Sequence, residues 1–367
     1  MNPVALRQLT VRSLRNLRAI DLVPSSSVNI LFGDNGQGKT SLLEAVYLVA
    51  TTRSFRTHRV REAVMHGAEA CNVRAVFEDA AGRREQMIAL SASEQLVRVD
   101  GQKPESLAAY AVRTPVVVFH PGEMSLTMGT ASVRRTLLDR VSLFLDPSSL
   151  AAHRAYARAM KARQKLLETE GLRGKGIEVW ERLMAEHGAK LTSVRRLACE
   201  KLNAATTEAF RAMAPATVRM QIRYAASGSE DIEAILQRLR DGRDKDLRRA
   251  SAGFGPHRDD LAIALSGRPA RVVASQGQHR LMTLSLKVAE LACVAEGAGC
   301  RPILLLDDVS SELDGGRIDA FFELLGSRHD QVFMTTARPE ILIGLERSMG
   351  EAMLFEVVGG EVLRRSG

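Results

Sequence analysis

Apolar and polar positions alternate with a strand-like period along the first third of the chain, change to a helical period, then change back. Leu6, Leu9 and Val11 alternate loosely over 4–11, and 16–22 reads as a hairpin partner closed by Pro24-Ser25-Ser26-Ser27. Val28-Asn29-Ile30-Leu31-Phe32 is an apolar run of buried-strand length, and Ser41-Leu42-Leu43-Glu44-Ala45-Val46-Tyr47-Leu48 opens a helix. Strands at 71–78, 84–90 and 96–100, with turn chemistry at Ala81-Gly82 and Asp100-Gly101, predict an antiparallel meander. Val116-Val117-Val118-Phe119 is apolar throughout and fits a strand buried in a parallel sheet.

From 132 to 214 the period is helical. Val133, Leu137, Leu138, Val141 and Leu145 keep one face, and Asp146-Pro147-Ser148 breaks the run and caps a helix over 149–170. A glycine connector at 171–176 leads to a helix over 178–213, with Leu183, Leu191, Val194, Leu197, Ala198 and Leu202 on one stripe. Together they predict an antiparallel helical hairpin. Arg154, Arg158, Lys161, Arg163 and Lys165 make its first helix basic, as a solvated face or as a surface turned to DNA. A strand at 218–224, a short helix at 231–240 and an exposed mixed-charge run at 241–249 follow. Gly253-Phe254-Gly255-Pro256-His257-Arg258-Asp259-Asp260 then restores the α/β pattern: a strand at 261–265, a helix at 281–294, strands at 303–306 and 332–334, a helix at 317–325 and a hairpin at 353–363.

The chemistry sits at the joins. Gly33-Asp34-Asn35-Gly36-Gln37-Gly38-Lys39-Thr40 matches GxxxxGK[ST] between a strand and a helix. Such a loop forms a nest of backbone N–H groups at a positive helix end and suits a triphosphate. Lys39 would reach the β- and γ-phosphates, the Thr40 hydroxyl would sit on Mg²⁺, and Ser41 completes the loop's contact set. Ile303-Leu304-Leu305-Leu306-Asp307-Asp308 is an apolar strand ending in two acids. Asp307 would hold Mg²⁺, which wants hard oxygen ligands, and Asp308 would orient the attacking water. About 260 residues, roughly two domains' length, separate the two elements. The core must therefore be built from both ends of the chain. The expected division is 1–131 and 253–367 as an ATPase domain, with 132–252 as an inserted helical lobe.

Ser275-Gln276-Gly277-Gln278-His279-Arg280 stands before the last long apolar helix. It reads as a plain Ser/Gly helix cap, or as a second anion site for the γ-phosphate of ATP held by another subunit; the second reading is preferred. Ser310-Ser311-Glu312-Leu313-Asp314 follows the acids.

Composition narrows the setting. The 367 residues are 45% hydrophobic and 26% charged, enough for a sizeable core, with a net charge of +8 that is compatible with a polyanionic partner. Cys71, Cys199, Cys293 and Cys300 form no CxxC pair and lie beside no histidine at zinc spacing. No apolar run reaches bilayer length, and the first residues lack signal-peptide design, so no membrane partner and a cytoplasmic protein are expected.

Phosphate loop, S-x-G-Q signature, LLLDD and SELD, in this order, resemble an ATP-binding-cassette ATPase of the SMC/Rad-fifty type. Most of the chain resembles the bacterial RecF family. The match is carried by GDNGQGKTSLLEAVY (33–47), RSFR (53–56), RRTLLDR (134–140), GPHRDDL (255–261), SQGQHR (275–280) and LLLDDVSSELD (304–314). The resemblance implies an α/β fold: a P-loop ABC-type ATPase head with an antiparallel β meander and an inserted helical lobe. It implies ATP and Mg²⁺ as cofactors, an ATP-dependent homodimer, and weak, DNA-stimulated hydrolysis. It further implies binding of double-stranded DNA near single-strand/duplex junctions, with RecR, RecO and RecA as partners in gap repair. Carried over by position, Ser275, Gly277 and Gln278 form a signature acting in trans, and Asp314 belongs to a dimer-facing loop. His279 departs from the family's second Gln. Thr335 or Thr336 stands where transporter ATPases place a switch His, and His120 is the positional candidate for a Mg²⁺-sensing Gln. Three other readings stay open: a transporter's nucleotide-binding subunit, an SMC-like chromosome organiser, and a clamp that binds ATP without hydrolysing it. The basic charge and the insertion ahead of the signature oppose the first, and the short helical lobe opposes the second.

Overall fold

The computed structural model describes residues 2–308, 331–337 and 352–365. The expected helix at 317–325 and Asp314 lie outside the described residues. The chain divides into two units, Met1–Glu123 with Val294–Gly367, and Met124–Cys293. Elements are numbered in chain order.

The first unit contains two sheets. One is a meander in the order β2-β1-β4-β5-β6, built from β1 (Ala5–Leu14), β2 (Leu17–Leu22), β4 (Ala70–Asp79), β5 (Gly82–Ser91) and β6 (Gln95–Val99). Its strands alternate; in β4, Cys71, Val73, Ala75 and Phe77 point inward. The other has the order β14-β13-β3-β12-β11-β7, from β3 (Val28–Phe32), β7 (Val116–Phe119), β11 (Ile303–Leu306), β12 (Val332–Thr336), β13 (Ala352–Val358) and β14 (Glu361–Arg365). All its pairings are parallel except β13 with β14. β7, β11 and β12 are buried at every position, as a parallel sheet covered on both faces requires. Helix α1 (Lys39–Thr51) is apolar on all sides, and one core joins it to both sheets. The short α2 (Leu107–Val112) completes the unit.

Two buried amides tie its edges. β1 slips register between Leu6 and Gln8. There Gln331 Oε1 accepts the Leu6 N–H at 2.7 Å, and its Nε2 donates to the Leu6 carbonyl at 3.0 Å and the Ser25 carbonyl at 2.6 Å. Asn29 does the same for Ser25, accepting its N–H at 2.7 Å and donating to its carbonyl at 2.9 Å. Side-chain amides thus stand in for missing ladder partners.

The second unit holds α3 (Ser125–Met128), α4 (Ala131–Leu145), α5 (Ser148–Glu170), α6 (Ile177–Met213), α7 (Ile232–Arg249), α8 (Ala270–Val273) and most of α9 (Gln276–Ala298). A small antiparallel sheet, β10-β9-β8, joins β8 (Met220–Ala225), β9 (Asp260–Leu265) and β10 (Arg268–Pro269). α5 and α6 form the hairpin, and the 37 residues of α6 run about 55 Å. The first half of α6 packs with α5 and α7; its second half packs with α4, β8, β9 and α9. Among the described residues no helix is long and apolar enough to cross a membrane.

The compact units do not follow the expected division, and two other expectations are corrected. The units divide at 123/124 and 293/294, because Leu261, Leu265, Leu281, Met282, Leu286 and Ala289 share a core with α4 and α6. The mixed-charge run at 241–249 is helical, since α7 continues from its Asp231 cap to Arg249 and buries Asp246. Finally, Arg163 is neither solvated nor turned outward. It is 1% exposed and donates to Glu181 at 3.0 Å, Asp246 at 2.7 Å and the Leu239 carbonyl at 2.7 Å. Leu197 is the exception on the α6 stripe, being exposed.

Candidate functional site

The glycine loop runs from the end of β3 to the start of α1, and its glycines are dictated by neighbours. Gly33 has φ 142, and a Cβ there would lie 2.4 Å from the Val357 carbonyl oxygen of β13. Gly38 has φ 119, and a Cβ would lie 2.9 Å from the Leu17 side chain. Gln37 pins the loop to the β13–β14 turn: its carbonyl accepts the Gly360 N–H at 2.9 Å and its Oε1 accepts the Gly359 N–H at 2.6 Å. Asn16, between β1 and β2, donates to the Gly36 carbonyl at 3.1 Å and accepts from Ser41 Oγ at 2.9 Å. Gly38 caps α1 without a side-chain bond, and the first turn carries no acid. The helix start therefore offers N–H groups and a positive dipole end to an anion.

Lys39 lies over this loop, its Nζ donating to the Gly33 carbonyl at 2.6 Å and the Asp34 carbonyl at 2.7 Å. Burial pulls its pKa below the ordinary lysine value, although Asp308, Asp307 and Asp34 push the other way. Asp307 stands at the end of β11, two strands from β3, and is buried. Its Oδ1 accepts from Thr40 Oγ1 at 2.8 Å and from Thr335 Oγ1 at 2.8 Å. Asp308 has φ 50, in the left-handed region that Asp enters more readily than most non-glycine residues, and its N–H donates to Thr335 Oγ1 at 2.9 Å. Together these residues line a cleft of about 500 Å³ with Arg15, Asn16, Asn35, Gly36, Ser41 and Arg56.

Arg15, Asn16 and Glu44 are additions from the structure, and Thr335, one of the two residues at the switch position, is the one bonded to Asp307. Glu44 is fully buried beneath the cleft, receives a two-pronged contact from Arg15 at 2.9 and 2.8 Å, and accepts from Ser54 at 2.5 Å and Arg56 at 3.3 Å. It fixes the basic RSFR loop beside the site. A lone acid in an otherwise apolar helix, SLLEAVYLVA, is the sequence signal for such a paired carboxylate. His120 is not among the cleft's lining residues; its Nδ1 accepts the Gly122 N–H at 3.1 Å and its ring lies 5.2 Å from that of Phe55. Thr336 is buried at the end of β12.

The signature belongs to the other unit. Ser275 and Gln278 make a reciprocal cap on α9: Ser275 N–H donates to Gln278 Oε1 at 2.9 Å, and Gln278 N–H donates to Ser275 Oγ at 3.3 Å. Gly277 lies in the first turn between them. His279 is 4% exposed with no partner for Nδ1, and burial holds its pKa below the ordinary value. The RRTLLDR and GPHRDDL stretches interlock with each other. Arg134 grips Asp260 at 2.7 and 2.9 Å, Arg135 donates to the Asp259 carbonyl at 2.7 Å, and Arg195 joins Asp139 at 2.8 Å to Asp259 at 2.9 Å. The fully buried Asp259 also accepts from Tyr224 and the Ser227 and Gly228 amides. Burial works against the Arg195 charge, but Asp139 and Asp259 more than offset it, so its pKa lies above the arginine norm. Arg140 carries the framework to α9 through Glu290 at 2.6 Å.

Residues 5–355 match the profile described as the RecF/RecN/SMC N terminal domain. "DNA replication and repair protein RecF" of Geobacter sp. (strain M21) is 36% identical over 90% of this chain and 92% of its own. The protein of that name from Myxococcus xanthus (strain DK1622) is 34% identical over 98% and 97%. A solved structure of the recombination mediator protein RecF with ATP, in the RecFOR pathway, superposes with a TM-score of 0.89 at 28% identity over 99% of this chain and 98% of that one. The Smc head domain of Pyrococcus furiosus, 14% identical with a TM-score of 0.57 over 99% of this chain and 96% of that one, shares the fold. With its cassette-type α/β head, its meander and this end-to-end likeness, the chain belongs to the RecF family.

Proposed function

We propose that the protein is an ATP-operated DNA-binding recombination mediator. One observation carries the reading: Thr40, after the phosphate loop, and Thr335 converge on Asp307, so loop and acid-ended strand form one site despite their distance in sequence. In this reading Lys39 and the amides of 33–41 bind the phosphates, and Asp308 orients the attacking water. The oxygens of Thr40 and Asp307 suit Mg²⁺, and among the described residues no group of three or more His, Cys, Asp or Glu could hold a metal alone. That fits an ion whose shell is completed by nucleotide phosphates and water. Bound there, Mg²⁺ would supply charge neutralisation at the transferred phosphate.

Ser275, Gly277 and Gln278 of one copy, with Asp314, face the nucleotide of a second copy, giving a head-to-tail homodimer. That dimer binds double-stranded DNA near single-strand gaps and, with RecR and RecO, assists RecA loading in the cytoplasm. Hydrolysis is weak, DNA-stimulated, and resets the dimer. Support comes from the family and from its ATP-bound relative.

The test is a titration on gapped and intact duplex, with and without ATP, while light scattering follows oligomeric state. ATP should raise both DNA affinity and dimer content. Lys39→Ala should abolish nucleotide binding, and Ser275→Arg should keep it while blocking dimers. ATP-independent DNA affinity would sink the switch, and nucleotide binding by Lys39→Ala would sink the site.

A further inference from the structure

Helix α5 carries five cations, and its geometry sorts them. At about 100° per residue, Arg154, Arg158, Lys161 and Lys165 fall within roughly 60° of arc, while Arg163 points the opposite way. Arg163 is buried on its two carboxylates; the other four are exposed. Among the described residues none of the four makes an ion pair, although the unit pairs exposed cations such as Arg182, Arg196 and Arg248 elsewhere. The helix sequence contains no acid from Ser148 through Leu167, and Glu168 ends the stripe. The exposed Ala151 and Ala157 flank the cations, so nothing bulky keeps a ligand off the helix. Neighbours at 154/158, 158/161 and 161/165 are like-charged at helix-adjacent spacings, and each such pair is self-repelling. A helix that tolerates three repulsions with no compensating acid is matched to an external polyanion.

We propose that this stripe is a contact surface for the phosphate backbone of duplex DNA, a proposal that rests on the DNA-binding reading above. Its length is about 16 Å at 1.5 Å per residue. That is roughly the axial length of five base pairs at 3.4 Å per phosphate on one strand. Exposed cations with no hydrogen-bonding scaffold around them read charge, so the contact is independent of base sequence.

The experiment compares two doubly substituted full-length proteins of equal net charge. One carries Arg158→Gln and Lys161→Gln. The other carries Arg18→Gln and Lys103→Gln, exposed positions in the first unit. Duplex affinity is measured from 50 to 300 mM salt with saturating ATP. Loss of two phosphate contacts should make the log–log salt slope shallower by about 1.8 for the α5 variant, at about 0.9 per contact, equally for unrelated duplex sequences. The control should keep the wild-type slope. Nucleotide affinity and melting temperature report that both variants are folded. Equal slopes for wild type and the α5 variant, or equal changes in variant and control, overturn the stripe. So does a loss seen with phosphatidylserine vesicles and not with DNA. If the wild-type protein binds no duplex, the wider reading falls instead.

Discussion

Thr335→Val tests the site's organisation at one atom. Valine keeps the shape and β-branching of the buried strand residue and removes only the hydroxyl. That hydroxyl donates to Asp307 Oδ1 at 2.8 Å and accepts the Asp308 N–H at 2.9 Å. A hydrogen bond to a charged group contributes about 1.5–3 kcal/mol. Asp308 sits at φ 50, a left-handed conformation that Asp tolerates and that the Thr335 bond helps to hold. With its amide released, Asp308 should hold its carboxylate in the cleft less firmly. Hydrolysis should slow by about 10–100-fold, equivalent to ~1.4–2.8 kcal/mol on the barrier. Nucleotide affinity should change less than about threefold, because the loop's bonds to Lys39, Asn16 and Gln37 are untouched. Thr335→Ser restores the hydroxyl and should recover most of the rate. Single-turnover hydrolysis beside fluorescent-nucleotide titration separates the two effects. Wild-type turnover in Thr335→Val, or a serine variant as slow as the valine one, would refute the reasoning.

Arg163→Met should destabilise the second unit by about 3–5 kcal/mol, since it removes the cation from buried Asp246, which keeps only the Gly253 amide, and leaves Glu181 to Arg243 alone. Adding Asp246→Leu should recover part of that in urea unfolding; strictly additive losses would contradict the pairing. Gln331→Leu should cost about 1–3 kcal/mol for each group it orphans at Leu6, while the Ser25 carbonyl keeps its bond from Asn29, checked by thermal melting. His257 is one pH-dependent element. Burial lowers its pKa below 6.5, with Arg258 adding to the effect and the Ala252 carbonyl opposing it. Just below pH 6.5 the unfolded chain therefore holds a proton that the native state refuses, so stability falls as pH drops through 6.5 and levels off below the folded value. His257→Asn should flatten the urea-midpoint slope between pH 7 and 5.5, and identical slopes would exclude the assignment.

What the sequence discloses depends on how far its physics reaches. The phosphate loop is local, so strand, glycines and helix start are legible within fifteen residues. The all-apolar strands announce a parallel sheet by the absence of an outward polar face. Thr335 and Asp307 lie 28 apart and Gln331 and Leu6 lie 325 apart; nothing in either neighbourhood names the other. Arg163 was separable from Arg154 by helical phase alone, because half a turn divides the two. The charge run at 241–249 concealed a helix because its buried acid, Asp246, finds its counter-charge in that distant arginine. The boundary at 293/294 was hidden for a similar reason: an apolar helix face does not say which core it fills.

The stitching of Gln37 to Gly359 and Gly360 has a consequence in time. Strand β3, which delivers the glycine loop, pairs with β12 on one side and β13 on the other. Both neighbours, and the turn that pins the loop, lie roughly three hundred residues further along the chain. The phosphate loop is therefore made long before the strands that set it. A chain cut ahead of β12 would carry the whole motif in an unsupported form. Competence for nucleotide in effect reports that two distant stretches of the polypeptide have met, because such non-local pairing forms late.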